Sequence, residues 1–147
     1  MLGTHSHGQG QETTFAQVVA DELGLALDDV SVVLGDTSKT PYGWGTWGSR
    51  SMVQGGGALV VACGRLREKI TRLAAHLLEV GVEDVEWMDG VVAVRGAPSR
   101  RLSVREVART AIYEGAALLP EGEDAGLEVD GDLRPARSHV PERHPRG

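Results

Sequence analysis

Apolar residues recur at helical spacing in three stretches of the chain. In Thr14–Leu23 (TFAQVVADEL), Phe15, Val18, Val19 and Leu23 fall at i, i+3, i+4 and i+8, which predicts an amphipathic helix. Gly24 suits its C-terminal cap. A longer helical pattern runs from Ser49 to about Val80, and its second half sets Leu66, Ile70, Leu73, Ala74 and Leu77 on one face. Its first half carries Gly55-Gly56-Gly57. Each glycine costs up to about 1 kcal/mol relative to alanine in an exposed helix, so the run predicts close approach of other backbone. Ser103 starts a third helix, where Glu106 completes a Ser-x-x-Glu capping box; the helix runs to about Tyr113 and Gly115 ends it.

Between these stretches the pattern shortens to the period of a strand. Val30–Leu34 is brief and β-branched, and His5 and His7 alternate along an extended segment before the first helix. Val85–Met88 and Val91–Val94 flank Asp89-Gly90, a two-residue loop that favours a type I′ hairpin. Gly35–Gly48 is too rich in Gly, Thr, Ser and Pro for either element and reads as an ordered loop. Pro120–Asp132 is polar, and no internal repeat is present. The order is strand, helix, strand, loop, long helix, hairpin, helix, so an α+β fold of mixed strands and helices is expected.

Composition narrows the function classes. A chain of 147 residues is one domain's worth. Its formal charge of −6 argues against a nucleic-acid module, which normally carries a basic face. The single cysteine, Cys63, excludes an intrachain disulfide and any site built from several cysteines; set among Ala and Val, it reads as a small buried residue. No apolar run approaches the roughly 20 residues that span a bilayer, and Met1–His5 lacks the regions of a signal peptide. A cytoplasmic protein without a membrane span is expected. The charge is uneven. Residues 1–132 hold 11 Lys+Arg and 20 Asp+Glu, whereas 133–147 hold four Arg, one Glu and three of the six prolines.

Glycine, at 20 residues, is about twice as frequent as the average near 7%, and its placement points to the candidate chemistry. Gly8-Gln9-Gly10 stands immediately before the first helix. There unpaired backbone N–H groups meet the positive end of a helix dipole, which suits a phosphate or another anionic group. The plainer alternative is a glycine-rich helix start capped by Glu12 or Thr13. In the second loop, Gly35–Ser51, Thr46, Ser49 and Ser51 supply hydroxyls, Gly45 and Gly48 allow close approach, and Arg50 offers a bidentate anion contact. The alternative there is a loop packed down by Tyr42, Trp44 and Trp47. His5 and His7 share a face, but no third ligand follows at metal-site spacing, so no metal ligand is assigned. His76 lies mid-helix, and Asp28-Asp29 and Glu83-Asp84 read as solvated turns. No nucleophile–base pair or carboxylate dyad emerges, so no catalytic residue is assigned. The residues alone leave open a standalone anion- or nucleotide-binding module without catalysis.

The stretch Gly3–Gln17 (GTHSHGQGQETTFAQ), with Gly35-Asp36-Thr37, Pro41-Tyr42-Gly43 and Gly45–Ser51 (GTWGSRS), resembles the molybdopterin-binding large subunits of the xanthine dehydrogenase/aldehyde oxidase family. Within it, the aerobic carbon monoxide dehydrogenase branch is most similar. The resemblance runs from Gly3 to about Asp132. It implies a molybdopterin cofactor, in bacteria often the cytosine dinucleotide form, and hydroxylation with water-derived oxygen of carbon monoxide, aldehydes or heterocycles. It implies iron–sulfur and FAD partner subunits to carry electrons away. It places Gly8, Gln9 and Gly10 against the cofactor, and Thr46, Gly48, Ser49 and Ser51 on its pterin and phosphate end.

Two departures from the family pattern bear on function. Family large subunits are several times longer, and neither the substrate-side loop nor the glutamate beside molybdenum has a counterpart here. The chain is therefore expected to be an internal fragment, inactive alone, that needs the rest of the large subunit. A small partner in a split large subunit is a further possibility. The second departure is the tail. Relatives continue past this point with a sequence like Phe-Asp-Pro-Pro and then Phe-Pro-Asn-Gly-Thr-His. One choice of codons for residues 133–147, read one base later, translates as Phe-Asp-Pro-Pro-Gly-Val-Thr-Phe-Pro-Asn-Gly-Thr-His-Ala. The expected division is a partial molybdopterin-binding domain over 1–132 and an out-of-frame or disordered tail over 133–147.

Overall fold

The structure, a computed structural model, describes residues 1–114 and 126–131. Three helices, α1 (Gln11–Leu23), α2 (Gly57–Leu77) and α3 (Val104–Arg109), accompany an antiparallel sheet of β1 (Val85–Met88), β2 (Val91–Val94) and β3 (Ala97–Ser103) in the order β1-β2-β3. A π-helical segment, Ser51–Gly56, leads directly into α2, and another, Thr110–Glu114, follows α3. This is the expected α+β arrangement. The expected tail lies outside the described residues, as does Gly115. Among the described residues no helix is long and apolar enough to cross a membrane.

The core lies between α2, the sheet and α3. Ile70, Leu73, Ala74 and Ala75 meet Val85, Val92, Val104, Val107 and Ala111, with Leu66 and Leu77 partly buried against them. This matches the predicted face of α2. Its register in α1 differs from expectation. The buried positions are Gln11, Phe15, Ala16, Ala20 and Leu23, while Val18 and Val19 are only partly buried. The small Ala16 and Ala20 are buried where the two valines were expected to be. The helix also starts three residues before Thr14, because its polar first turn carries no apolar signal. Phe15 accounts for Gly55, the first glycine of the run. A Cβ on Gly55 would stand 3.0 Å from Phe15 Cζ, so this glycine makes room for a side chain rather than for backbone.

Polar contacts tie the layers. Arg67 Nη1 donates to the Glu22 carbonyl at 2.6 Å, and its guanidinium lies 4.5 Å from the Trp87 ring centre. Trp87 Nε1 donates to Thr71 Oγ1 at 2.9 Å. Lys69 donates to the Gly126 carbonyl and Arg65 to the Asp130 carbonyl, which seats 126–131 on α2. Cys63 is buried, and that burial pushes its thiol pKa up.

The hairpin forms as expected, with Asp89 at φ 43° and Gly90 at φ 74°, and Met88 opposite Val91. Gly24 closes α1 at φ 65° and lies against Gly90: a Cβ on either would overlap the other's backbone. The Gly90 carbonyl also accepts from Val104 N–H at 2.9 Å, so one turn anchors the end of α1 and the start of α3.

The capping box of α3 is complete. Ser103 Oγ accepts from Glu106 N–H at 3.1 Å, and Glu106 Oε2 accepts from Ser103 N–H at 2.7 Å. These Ser103 bonds hold the Glu106 carboxyl below its ordinary range. Because the folded pKa is lowered, the stabilisation is present above the ordinary glutamate value of about 4.3 and is lost as the pH falls through the folded value. Ser103→Ala should cost about 1 kcal/mol in urea unfolding at pH 7 and flatten part of the acid limb of stability against pH.

Two strand expectations need correction, and one strand was not expected. Residues around His5–His7 form no strand, and Val30–Leu34 contributes only a parallel bridge between Leu2 and Leu34, with Leu2 N–H donating to the Val33 carbonyl at 3.2 Å. β-branched residues favour a strand, but a ladder needs a continuous partner. From Gly3 onward the chain instead crosses to Gly43 and Thr46. The strand β3 has no alternating pattern, contains Pro98 and is largely exposed, so it carried no strand signal. It pairs as an edge strand, where proline is tolerated, with an irregularity between Ala93 and Val94.

Candidate functional site

The two glycine-rich loops meet at one place. His5 N–H donates to Thr46 Oγ1 at 3.0 Å, Thr46 Oγ1 donates back to the His5 carbonyl, and Ser51 Oγ lies 3.2 Å from Thr46 Oγ1. A threonine hydroxyl has one proton and two lone pairs. With Ser51 as donor, this hydroxyl uses all three. Thr46 therefore latches the first loop to the second and to the start of the long helical run. A little upstream, the backbones of Gly3 and Gly43 lie so close that a Cβ on Gly43 would overlap the Gly3 carbonyl.

The latch frames a pocket of about 380 Å³ lined by Gln9, Gln11, Thr14, Thr46, Trp47, Ser49, Ser51 and Met52. Five of these come from the two loops. The pocket lies at the N-terminus of α1, where Gly10 occupies the capping position at φ 74° and no side chain caps the helix. Gly8 (φ 94°) and Gly48 (φ 58°) also hold left-handed conformations. Ser49 follows at φ 57°, where a non-glycine residue costs on the order of 1 kcal/mol; such strain concentrates at ligand sites. Gln11 is 5% exposed, and its Oε1 is buried with no hydrogen-bond partner; Thr4 Oγ1 is the other such atom among the described residues.

The expected site residues are thus placed as follows. Gln9, Thr46, Ser49 and Ser51 line the pocket. Gly8 and Gly10 shape the first loop and Gly48 the second. Gln9 Oε1 accepts from His7 N–H, which leaves its amide N–H₂ as a donor. Arg50 does not line the pocket; it donates to Gln54 and lies 5.1 Å from the Trp47 ring centre. The loop aromatics do not pack the loop down: Tyr42, Trp44 and Trp47 are 88%, 71% and 62% exposed. Sequence reasoning passed over Gln11 and Thr14. Gln11 follows the Gly-x-Gly turn directly, but only its burial distinguishes it from a solvated first-turn residue.

Asp36, from the Gly35-Asp36-Thr37 motif, serves the loop itself. It accepts from Ser38 Oγ at 2.6 Å and Ser38 N–H at 3.0 Å, which lower its pKa, and Lys39 sits 3.5 Å away. The His5 and His7 rings stand edge to face at 5.1 Å, and among the described residues no group of three or more potential ligands could hold a metal. A larger concavity, about 590 Å³, at the C-terminal end of α2 shares no residue with the loops.

Backbone donors at a helix start, serine hydroxyls and the buried Gln11 amide thus border one pocket. The chain belongs to the molybdopterin cofactor-binding domain family, which it matches over residues 1–144. It is 44% identical over 107 residues to the carbon monoxide dehydrogenase large chain of Afipia carboxidovorans, covering 73% of this chain and 13% of that protein. It is 42% identical over 126 residues to the nicotine 6-hydroxylase large subunit of Paenarthrobacter nicotinovorans, covering 86% of this chain and 15% of that one. The crystal structure of Cu,Mo-CO dehydrogenase in its carbon monoxide reduced state superposes with a TM-score of 0.77 at 40% identity, over 84% of this chain and 15% of that chain. The chain therefore spans about one seventh of these relatives.

The residues fit the family's cofactor. The pocket volume lies at the lower end of the roughly 300–1,000 Å³ of small-molecule sites, which suits part of a molybdopterin cofactor rather than all of it.

Proposed function

We infer that the latched loops hold the phosphate-bearing part of a molybdopterin cofactor, in its cytosine dinucleotide form, within the large subunit of a cytoplasmic molybdenum hydroxylase. The observation that carries this is the pocket at the uncapped N-terminus of α1, with serine and threonine hydroxyls on its walls. The bound group would supply the redox chemistry of water-derived oxygen insertion into carbon monoxide, an aldehyde or a heterocycle. This chain's residues bind and orient. The first turn of α1 offers N–H groups and a positive helix end to the phosphates. Gln9 offers its amide N–H₂. Ser49 and Ser51, with the backbone of Gly8, Gly10 and Gly48, complete the cradle, and Thr46 keeps the two halves in register. Iron–sulfur and FAD subunits would receive the electrons, and the rest of the large subunit would close the site. Alone, the chain is expected to lack hydroxylase activity.

Thr46→Val tests the cradle. The change keeps shape but removes the hydroxyl that joins His5 to Ser51. Affinity of the chain for inorganic diphosphate, measured by calorimetry, should fall about tenfold, the equivalent of about 1.4 kcal/mol. Unchanged affinity would show that the latch does not set the site.

The proposal extends to the chain's division: residues 1–132 belong to the cofactor-binding slice, and 133–147 are read out of frame. The coding DNA after Asp132 should then encode the family sequence in a second frame; a second frame without it refutes this.

A further inference from the structure

Resting on the cradle reading above, we propose that Gln11 selects a heterocyclic N–H donor in the ligand, separating the ring end of a phosphate-bearing cofactor from bare phosphate. Gln11 is 5% exposed, and its Oε1 is buried without a partner. It lines the same pocket as Thr14, Thr46, Ser49 and Ser51. Two hydroxyls that line the same pocket are already committed as donors: Thr14 donates to the Gly10 carbonyl at 3.1 Å and Thr46 to the His5 carbonyl. Among the described residues no donor reaches Gln11 Oε1.

An amide oxygen can only accept. Left buried and unpaired it destabilises the unliganded chain, so a ligand that satisfies it gains that free energy on binding. Phosphate oxygens at neutral pH are acceptors and offer it little. A ring N–H or an exocyclic amino group fits. Both a pterin and an amino-bearing nucleobase carry such groups, and the shared chemistry is an N–H donor on a planar heteroaromatic ring. A site built to hydrogen-bond one group discriminates against ligands that lack it, because its polar atom then stays unpaired.

The test titrates the full 147-residue chain by calorimetry with three probes. These are cytidine 5′-diphosphate, 6-hydroxymethylpterin diphosphate and inorganic diphosphate. At least one ring-bearing probe should bind about tenfold tighter than inorganic diphosphate, and the one that does identifies the ring. Gln11→Leu, of similar shape, should bring that probe to the level of inorganic diphosphate, leave inorganic diphosphate unchanged, and raise the urea midpoint of the unliganded chain. Gln11→Glu keeps an acceptor, so the ratio of ring-bearing probe to inorganic diphosphate should persist while all affinities fall with the added negative charge. Equal weakening of all three probes by Gln11→Leu, or no change, overturns the assignment. If Gln11→Leu fails to fold by circular dichroism, loss of the ratio in Gln11→Glu overturns it instead. Inorganic diphosphate binding with no advantage from either ring leaves the cradle standing and removes Gln11 from it. No binding of any probe removes both.

Discussion

Gly43→Ala should weaken ligand binding at the cradle by more than tenfold while leaving the core helices in place. The added methyl would occupy the space of the Gly3 carbonyl, and its neighbours there are backbone atoms rather than the end of a flexible side chain. Backbone cannot rotate aside, so the segment before α1 must shift and take His5 away from Thr46. Over-packing of this kind costs typically 1–3 kcal/mol, and the upper end is expected at a backbone contact. Affinity for inorganic diphosphate should fall by more than tenfold, and the circular dichroism spectrum should stay helical. Gly64→Ala is the matched control. A Cβ at Gly64, inside α2, meets nothing within 4 Å, so this substitution should leave binding intact and raise stability by up to about 1 kcal/mol.

Phe15→Ala should be the most destabilising single truncation. Phe15 is fully buried and is the largest such side chain among the described residues. Removing a buried phenylalanine costs about 3–5 kcal/mol through lost transfer free energy and the cavity left behind. That is a large part of the 5–15 kcal/mol by which domains are stable. The ring also joins fold to site, because it stands between α1 and the glycine segment that carries Ser51 into α2. Adding Gly55→Ala to Phe15→Ala should recover part of the loss, since the new methyl grows into the vacated space. In wild type the same methyl would crowd the ring at 3.0 Å. Urea unfolding of both single variants and the double variant measures the coupling, and strict additivity would refute the contact.

Sequence made some parts of this molecule legible because their signals are local. The Asp89-Gly90 turn, the Ser103–Glu106 capping box and the Gly24 cap depend on a few adjacent residues, and each forms as read. The apolar face of α2 is legible for the same reason. The strand expectations failed where partners decide. Val30–Leu34 has the composition of a strand but lacks a partner beyond Leu2, while β3 lacks the composition and gains its partner from β2. At the site, both glycine-rich loops and most of the pocket-lining hydroxyls were legible from residue type and position. The latch was not, because His5 and Thr46 are 41 residues apart and their contact depends on the Gly3–Gly43 crossing. Gln11 escaped for a different reason: a glutamine in a polar first turn looks solvated until its burial is known.

The central claim, that the uncapped start of α1 and the Gly48–Ser51 turn hold one anionic ligand between them, is tested most directly by amide NMR. ¹⁵N-labelled chain is titrated with cytidine 5′-diphosphate. Saturable shifts confined to the amides of Gly8–Thr14 and Thr46–Met52, moving together at one affinity, are predicted. Shifts in only one of the two loops, shifts centred on the concavity at the end of α2, or no saturable shift at all would contradict it.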